Sequence, residues 1–100
     1  MPDFSIRILP SNGGAVFDPM SVPPGSSVTW NNLTGQTHQI TSGTFSTHPI
    51  GPKGAPNSSS RPDFEIAPSA TEPIAYACTL HENESGTIGI DVVQNLPTED

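Results

Sequence analysis

Short stretches of alternating apolar and polar residues recur along most of the chain. Phe4, Ile6 and Ile8 lie on one side of the segment 3–9, and Ser5 and Arg7 lie on the other. Side chains alternate across a β-strand with a period of two residues, so this pattern predicts a strand with one buried face. Similar patterns predict further strands in the segments 27–31, 37–41, 63–66, 74–77 and 87–93, and a short extended piece at 16–17.

Turn-forming residues separate these segments. Proline fixes φ and glycine accepts positive φ, so turns are predicted at 11–14, 23–25 and 68–69. The segment 42–62 is rich in Gly, Pro, Ser and Thr. We expect a long surface loop there with a short strand near Phe45, and loops of that length are usually functional or mobile.

About seven or eight short strands, with turns every eight to twelve residues or so, are typical of a sandwich. The predicted fold class is therefore all-β, a two-sheet antiparallel Greek-key sandwich. One hundred residues suffice for a single domain over 1–100, with 94–100 as a frayed acidic tail. The pattern predicts no helix and no internal repeat.

The charge balance limits the partners that the protein can attract. Three basic residues face ten acidic ones, which gives a formal net charge of -7. Nucleic acid and anionic membrane surfaces should repel such a chain, whereas a basic partner should be attracted. No stretch is long and apolar enough to span a membrane, and the N-terminus lacks a secretory leader. This fits either a cytoplasmic protein or the mature form of an exported one.

The only cysteine provides the strongest chemical signal. Cys78 has no partner for an internal disulfide, and a lone cysteine is most often a buried hydrophobe. However, His81 lies three residues further on, in a loop between two predicted strands. A thiolate and an imidazole in one short turn form a ligand pair that copper prefers and that zinc accepts less selectively.

The segment FDPMSVPPGSSVTWNNLTGQTHQI, followed further on by YACTLH and a final GTIGIDV strand, resembles the cupredoxins. These are small blue copper proteins such as plastocyanin, amicyanin and pseudoazurin, and the resemblance runs from about Phe17 to Val92. It implies that His38, Cys78 and His81 bind one mononuclear copper ion. It also implies a type 1 copper electron-transfer protein, not an enzyme, that lies in the periplasm or outside the cell. Such a protein would act as a monomer with a transient redox partner.

The fourth ligand departs from the family pattern. In the short-loop members that resemble amicyanin, a methionine follows the second histidine by three residues, and Glu84 holds that place here. The longer-loop alignment points instead to Gly86, which has no side chain to offer, and Asn83 and Ser85 are less well placed. We therefore predict Glu84 as the axial ligand. A carboxylate is a hard donor that would favour Cu(II) and lower the reduction potential. The alternative is that Glu84 points into solvent and leaves the axial position open.

A polar link beside the site is also predicted. Family members often have an asparagine after the first histidine, which ties that strand to the thiolate loop, and Gln39 stands there in this chain. The hydroxyl of Thr79 could complete this link, unless the Gln39 side chain faces solvent. His48, in the long loop, is either a solvated histidine or part of a second metal site or a lid.

Aromatic and surface residues complete the predicted picture. Trp30, Tyr76 and Phe17 are expected in the core, and Tyr76 could also lie on the path of electrons from the sulfur. Leu80, with the loops around Pro23 and Pro24, is expected to form a small apolar contact patch. Three acidic residues form either a docking patch for a partner near the metal or simply a solvated rim: Glu82, Glu84 and Asp91.

Another class of function follows from the missing methionine. A vacant or labile position is what chemistry at a metal requires, so the chain could be an open-site copper protein that binds or transforms nitric oxide or oxygen. Copper storage or delivery is disfavoured because only one thiolate is present. A Cys-His protease dyad lacks an oxyanion-forming helix and a second domain.

Overall fold

The computed structural model describes residues 3–12, 14–81 and 84–91, and these residues form nine β-strands in two sheets. The strands are β1 (Asp3–Ser11), β2 (Gly14–Phe17), β3 (Met20–Val22), β4 (Ser27–Asn32), β5 (Ile40–Ser42), β6 (Phe45–Ser46), β7 (Phe64–Glu65), β8 (Ile74–Cys78) and β9 (Ser85–Ile90). Their order is β2-β1-β4-β7 in the first sheet and β3-β9-β8-β5-β6 in the second. The predicted all-β, two-sheet sandwich is confirmed. Within the described ranges no helix is long and apolar enough to cross a membrane.

The prediction that both sheets are antiparallel is wrong for two strand pairs. β1 runs parallel to β4, with Ile6 beside Trp30, and β3 runs parallel to β9, with Met20 beside Ile88. Parallel neighbours need a long crossover instead of a hairpin, and both pairs join strands that are distant in sequence. An alternating pattern shows which face of a strand is buried but not the direction of its neighbour. β3 itself was not predicted, because three residues before a proline turn are too few to show a period.

The other strands lie close to their predicted positions. β1 extends to Ser11, β5 begins only at Ile40, and β9 begins at Ser85. His38 lies before β5 and forms an isolated bridge with Ile50. The predicted end of the last strand at 92–93 and the predicted tail at 94–100 lie outside the described residues. The single-domain organisation stays a prediction.

The segment 42–62 is more than the surface loop that its composition predicts. It contains the expected short strand, β6, but Thr47, Ile50 and Ser60 are buried. The amide of Ser60 donates to the carbonyl of Trp30 at 2.8 Å. Buried backbone groups must find partners, and this segment finds them on β4 and on the stretch around His38. It therefore forms part of the packing that holds the first histidine.

Aromatic rings join the two sheets in the core. Trp30 on β4 is fully buried and meets the ring of Tyr76 on β8 edge-on, with ring centroids 5.1 Å apart. Phe17 on β2 meets the same ring at 5.1 Å, also edge-on. Both arrangements are favourable for aromatic pairs, and core packing accounts for all three rings as predicted. The remaining buried apolar side chains are Ile6, Ile8, Val22, Val28, Ile40, Ile50, Ile66, Cys78 and Ile88.

Position 86 has no room for a side chain, because the ring of Tyr76 lies directly opposite Gly86 in the β8–β9 pair. A Cβ atom on Gly86 would overlap the phenol group of Tyr76. We expect Gly86→Ala to lower the free energy of unfolding by about 1–3 kcal/mol, as overpacking of a filled core usually does. Urea denaturation of the metal-free protein measures this. Thr87→Val, on the same strand but exposed, should stay within about 0.5 kcal/mol of wild type. Equal unfolding free energies for wild type and Gly86→Ala would contradict the overlap.

Candidate metal centre

Four side chains that the sequence singles out meet at one end of the second sheet. Cys78 is the last residue of β8, and its amide donates to the carbonyl of Glu84 at 2.8 Å. This bond closes the loop that carries His81 and brings Glu84 back beside the cysteine. His38 approaches from the other side, where it and Ile50 exchange two backbone hydrogen bonds of 3.0 and 2.7 Å. Backbone hydrogen bonds therefore fix both halves of the site.

The donor atoms of these four side chains converge. Nδ1 of His38 and Nδ1 of His81 lie 3.6 and 3.5 Å from Sγ of Cys78. Oε1 of Glu84 lies 3.1 Å from Nδ1 of His38 and 3.4 Å from Nδ1 of His81. All four donor atoms lie within 4.8 Å of one another, and this is the metal-ligand cluster found among the described residues.

Burial separates His81 from the other three residues. His38 is 1% exposed, Cys78 6% and Glu84 8%, whereas 31% of the His81 side chain is accessible. A carboxylate in a polar loop is usually solvated, but the burial of Glu84 contradicts the alternative that its side chain points into solvent. Glu84 points inward, and His81 alone carries the centre to the surface.

The residues fit a metal ion. Oε1 of Glu84 is buried without a hydrogen-bond partner among the described residues, although it lies close to two imidazole nitrogens. An isolated buried carboxylate oxygen is costly, and a cation would satisfy it. Bonds of about 2.0–2.3 Å from N, O and S ligands to one ion give ligand–ligand separations of about 3.3–3.7 Å at tetrahedral angles. The separations between each histidine nitrogen and the Cys78 sulfur or the Glu84 oxygen, 3.1–3.6 Å, are close to that range.

The far side of His38 is held by a residue that the sequence reasoning missed. Nε2 of His38 lies 2.9 Å from the hydroxyl oxygen of Thr34, which is buried. Burial lowers the pKa of His38 below its usual value, and the nearby Glu84 carboxylate only partly opposes this. The ring therefore favours its neutral form, which is the form that binds metals.

The predicted link between Gln39 and Thr79 exists, but on the Gln39 side it uses the backbone instead of the side chain. The backbone carbonyl of Gln39 accepts the amide of Thr79 at 2.8 Å and, as predicted for Thr79, its hydroxyl at 3.4 Å. The Gln39 side chain turns away and donates through Nε2 to the carbonyl of Thr47 at 2.9 Å. The longer glutamine side chain reaches the segment after β6, so the backbone makes the contact with the thiolate loop.

Gly14, at the start of β2, forms the wall behind the Glu84 carboxylate. A Cβ atom on Gly14 would lie 3.0 Å from Oε2 of Glu84, and its φ of +155° is one that L side chains rarely adopt. The missing side chain therefore leaves the room in which the carboxylate turns inward. No signal in the sequence relates these two residues, which are far apart along the chain.

We expect Gly14→Ala to displace the Glu84 carboxylate by a few tenths of an ångström. The visible absorption maximum of the metal-loaded protein should then shift in the same direction as in Glu84→Gln, but less. Gly35→Ala is the matched control, because a Cβ atom there would meet nothing within 4 Å. An unchanged spectrum in Gly14→Ala, or the same shift in Gly35→Ala, would contradict the contact.

Other predicted residues lie elsewhere. His48 is exposed and takes no part in the cluster; it lines a surface depression together with Arg61 and Asp63. Leu80 is 50% exposed beside His81, as the predicted contact patch requires, while Pro23 and Pro24 are half-buried.

The acidic docking patch loses one member, because Glu84 is buried in the cluster. Asp91 is exposed, and Glu82 lies outside the described residues.

The two other axial alternatives that the structure describes do not join the cluster. Gly86 lies inside β9, and Ser85 is exposed at the start of that strand. Asn83 lies outside the described residues.

Comparison with known proteins places the fold. No family model and no curated protein sequence matches the chain. A novel purple cupredoxin from Nitrosopumilus maritimus has a similar structure, with a TM-score of 0.66 and 22% identity over 89% of this chain and 100% of that one. A variant of amicyanin in its reduced Cu(I) form has a TM-score of 0.64 and 14% identity over 89% and 82%. The oxidised plastocyanin from Dryopteris crassirhizoma has a TM-score of 0.55 and 21% identity over 87% and 99%.

The chain thus has the cupredoxin fold. Its cluster of His38, Cys78, His81 and Glu84 contains the two-histidine, one-cysteine donor set of type 1 copper sites and offers four ligand atoms to a metal ion.

Proposed function

We propose that the protein is a mononuclear copper electron carrier in which His38, Cys78, His81 and Glu84 hold the ion. The observation that carries this proposal is the convergence of two Nδ1 atoms, one thiol sulfur and one buried carboxylate oxygen within 4.8 Å. Two histidines and a cysteine with one weaker additional ligand are the donor set of blue copper sites. The amicyanin with a similar fold has been described in its Cu(I) form, which supports copper as the metal.

Copper held by these ligands would supply a couple between Cu(II) and Cu(I). The protein's own part is to keep the ligands from moving. The paired backbone bonds between His38 and Ile50, and the bond from Cys78 to Glu84, anchor the ligands in the sandwich. His81 provides an accessible edge for electron entry and exit, and the other three side chains are buried.

The expected partner is a redox protein with a basic surface, which meets the exposed edge of His81 beside Leu80. Small, weak contacts suit rapid turnover, and the net charge of -7 would steer a positively charged partner. We propose that the protein works as a monomer in the periplasm or outside the cell. Rates of reduction by a small cationic reagent should fall as salt rises, and rates with an anionic reagent should rise. Rates that do not respond to salt would remove the steering.

Copper reconstitution tests the electron-carrier function directly. Metal-free protein should take up one Cu(II) ion and become intensely coloured, with the EPR signal of a thiolate-bound copper. Voltammetry should then show a reversible one-electron wave. A colourless complex, no uptake of Cu(II), or uptake of Zn(II) alone would overturn the proposal.

A second candidate function is favoured by a cleft of about 470 Å³ on the β1–β2 side, whose lining includes one of the four proposed ligands, His38. Gly14, Thr34 and Gly35 also line this cleft, and Gly14 lies behind the Glu84 carboxylate. A small molecule such as nitric oxide or oxygen could approach the metal here and be bound or transformed. The buried carboxylate of Glu84 stands in the site and argues for the carrier as the leading candidate.

Azide and nitric oxide distinguish the two functions. If the cleft admits ligands, either reagent should shift the absorption bands of the copper protein, and Gly35→Phe should slow the shift by filling the cleft. Spectra that ignore both reagents would exclude the second function. A shift that is equally fast in Gly35→Phe would exclude the cleft as the route.

A further inference from the structure

We infer that Thr34 and Asn32 are positioning residues that fix the tautomer of His38, with the proton on Nε2 and the lone pair of Nδ1 turned toward Cys78. This inference rests on the proposed metal site for its purpose, but the arrangement of hydrogen bonds is a property of the metal-free chain. Thr34 is 6% exposed and Asn32 is fully buried, and the partners described below for their polar atoms all lie within the protein.

The orientation of the Asn32 amide is the first step. Its Nδ2 lies 2.6 Å from the carbonyl oxygen of Gln36, 2.9 Å from that of Gly51 and 3.3 Å from that of Ile50. Carbonyl oxygens only accept hydrogen bonds, so the NH₂ group must face them. The amide is therefore set by its surroundings, and Oδ1 must face the opposite side.

The Thr34 hydroxyl is the second step. Oδ1 of Asn32 accepts the backbone amide of Thr34 at 2.9 Å and lies 2.7 Å from the Thr34 hydroxyl oxygen. An amide oxygen has no proton to give, so the hydroxyl must donate. The carbonyl of Gln36, at 3.1 Å, is the other acceptor within reach of that proton. In both cases the proton points away from His38, and a hydroxyl pointing the other way would set two buried acceptors against each other at 2.7 Å.

The tautomer of His38 follows from these two steps. The hydroxyl of Thr34 has one proton, which it donates to Asn32 or Gln36. Toward Nε2 of His38, 2.9 Å away, the oxygen can therefore only accept a hydrogen bond. Nε2 must then carry the hydrogen, and a neutral imidazole has only one. Nδ1 is left as the lone-pair nitrogen, 3.6 Å from Sγ of Cys78.

The tautomer with its proton on Nδ1 would have a competing hydrogen-bond partner, the Glu84 carboxylate, and this gives the fixing of the tautomer a purpose. A proton on Nδ1 would face the Glu84 carboxylate, whose Oε1 lies 3.1 Å away, and it would have to leave before a metal could bind. The Asn32 and Thr34 pair opposes this state, since it would leave Nε2 and the Thr34 oxygen as two buried acceptors 2.9 Å apart. The favoured tautomer leaves Nδ1 and the Glu84 oxygen as acceptors 3.1 Å apart, and a metal ion between them would satisfy both. The ligand is thus held in its metal-binding form in advance, as hydrogen bonds from metal-binding histidines usually achieve.

Nitrogen-15 NMR of the His38 ring in metal-free protein tests the inference. Wild type and Thr34→Ser should show the hydrogen on Nε2, because both keep the hydroxyl. Thr34→Val, which has the same shape without the hydroxyl, should place a substantial share of the hydrogen on Nδ1. Wild-type protein with its hydrogen on Nδ1 would overturn the inference by itself, even if Thr34→Val fails to fold. An unchanged tautomer in folded Thr34→Val would overturn it as well.

Metal affinity gives the second readout. Thr34→Val should bind Cu(II) about 10–100-fold more weakly than wild type, and Thr34→Ser should restore most of the loss. Equal affinities in all three proteins would contradict the positioning role. The two proposals fail separately: a protein with the expected tautomers that takes up no copper refutes the carrier, whereas a coloured copper protein whose tautomer ignores Thr34 refutes only the positioning role.

Discussion

Cys78→Ser will lose the intense visible absorption of the copper-loaded protein and will bind Cu(II) more than about 100-fold more weakly. Losing a residue that only orients a ligand already costs about 10–100-fold in metal affinity, and Cys78 offers the ligand atom itself. Its sulfur lies 3.6 and 3.5 Å from the two Nδ1 atoms, and no other thiol exists in the chain to replace it. Serine is similar in size but is a harder donor that stays protonated near neutral pH, so it restores neither the bond nor the colour.

The measurements are absorption and EPR spectra of the loaded protein and competition titration for Cu(II). Cys78 is a small buried residue at the end of β8, and its serine variant should keep the fold, which the circular dichroism spectrum of the metal-free form checks. His48→Ala is the control, because His48 is exposed and outside the cluster. A Cys78→Ser protein that keeps its colour would exclude the Cys78 thiolate from the ligand set. A His48→Ala protein that loses its colour would add His48 to that set.

The sequence predicts this metal centre because residues that can act as soft metal ligands are rare in the chain. One cysteine and three histidines leave few combinations, and Cys78 with His81 in one short turn selects the loop. His38 follows from the resemblance to cupredoxins, and the structure brings it to the same point. Rare residue types in a fixed order are informative because each has few other reasons to be there.

The inward turn of Glu84 could not be predicted in the same way. Glutamate in a polar loop is usually solvated, so its residue type favours the surface. Two features of the fold override that preference. The amide of Cys78 donates to the carbonyl of Glu84, and Gly14 has no side chain to fill the space that the carboxylate occupies. Both depend on the pairing of β8 with its neighbours and on the approach of β2, which no local pattern contains.

The polar support of His38 was hidden for a related reason. Asn32 ends β4 and Thr34 comes just after it, in a segment that looks like an ordinary turn, where such residues are common. Their role depends on Gln36, Ile50 and Gly51, two of which come from the glycine- and proline-rich segment expected to lie on the surface. Side chains that are oriented by hydrogen bonds to distant backbone carbonyls leave no periodic pattern in the sequence. The two parallel strand pairs escaped prediction similarly, since alternation carries no information on direction.

Glu84→Gln should raise the reduction potential of the copper protein and shift its visible and EPR spectra. A carboxylate is a hard, negatively charged donor that favours Cu(II), and at 8% exposure water screens its charge poorly. Glutamine keeps a similar shape and one oxygen donor but removes the charge. We expect an upward shift of at least about 60 mV, which corresponds to a tenfold change in the relative affinity for the two oxidation states.

Voltammetry of both proteins measures the shift, and Glu72→Gln provides the matched control. Glu72 is exposed, so its variant removes the same formal charge without touching the cluster, and its potential should stay close to that of wild type. Equal potentials and spectra for Glu84→Gln and Glu72→Gln would remove Glu84 from the ligand set and would attribute any residual change to net charge alone. A fall in the potential of Glu84→Gln would contradict the assigned role of the carboxylate, because loss of a negative charge beside the ion must favour the reduced state.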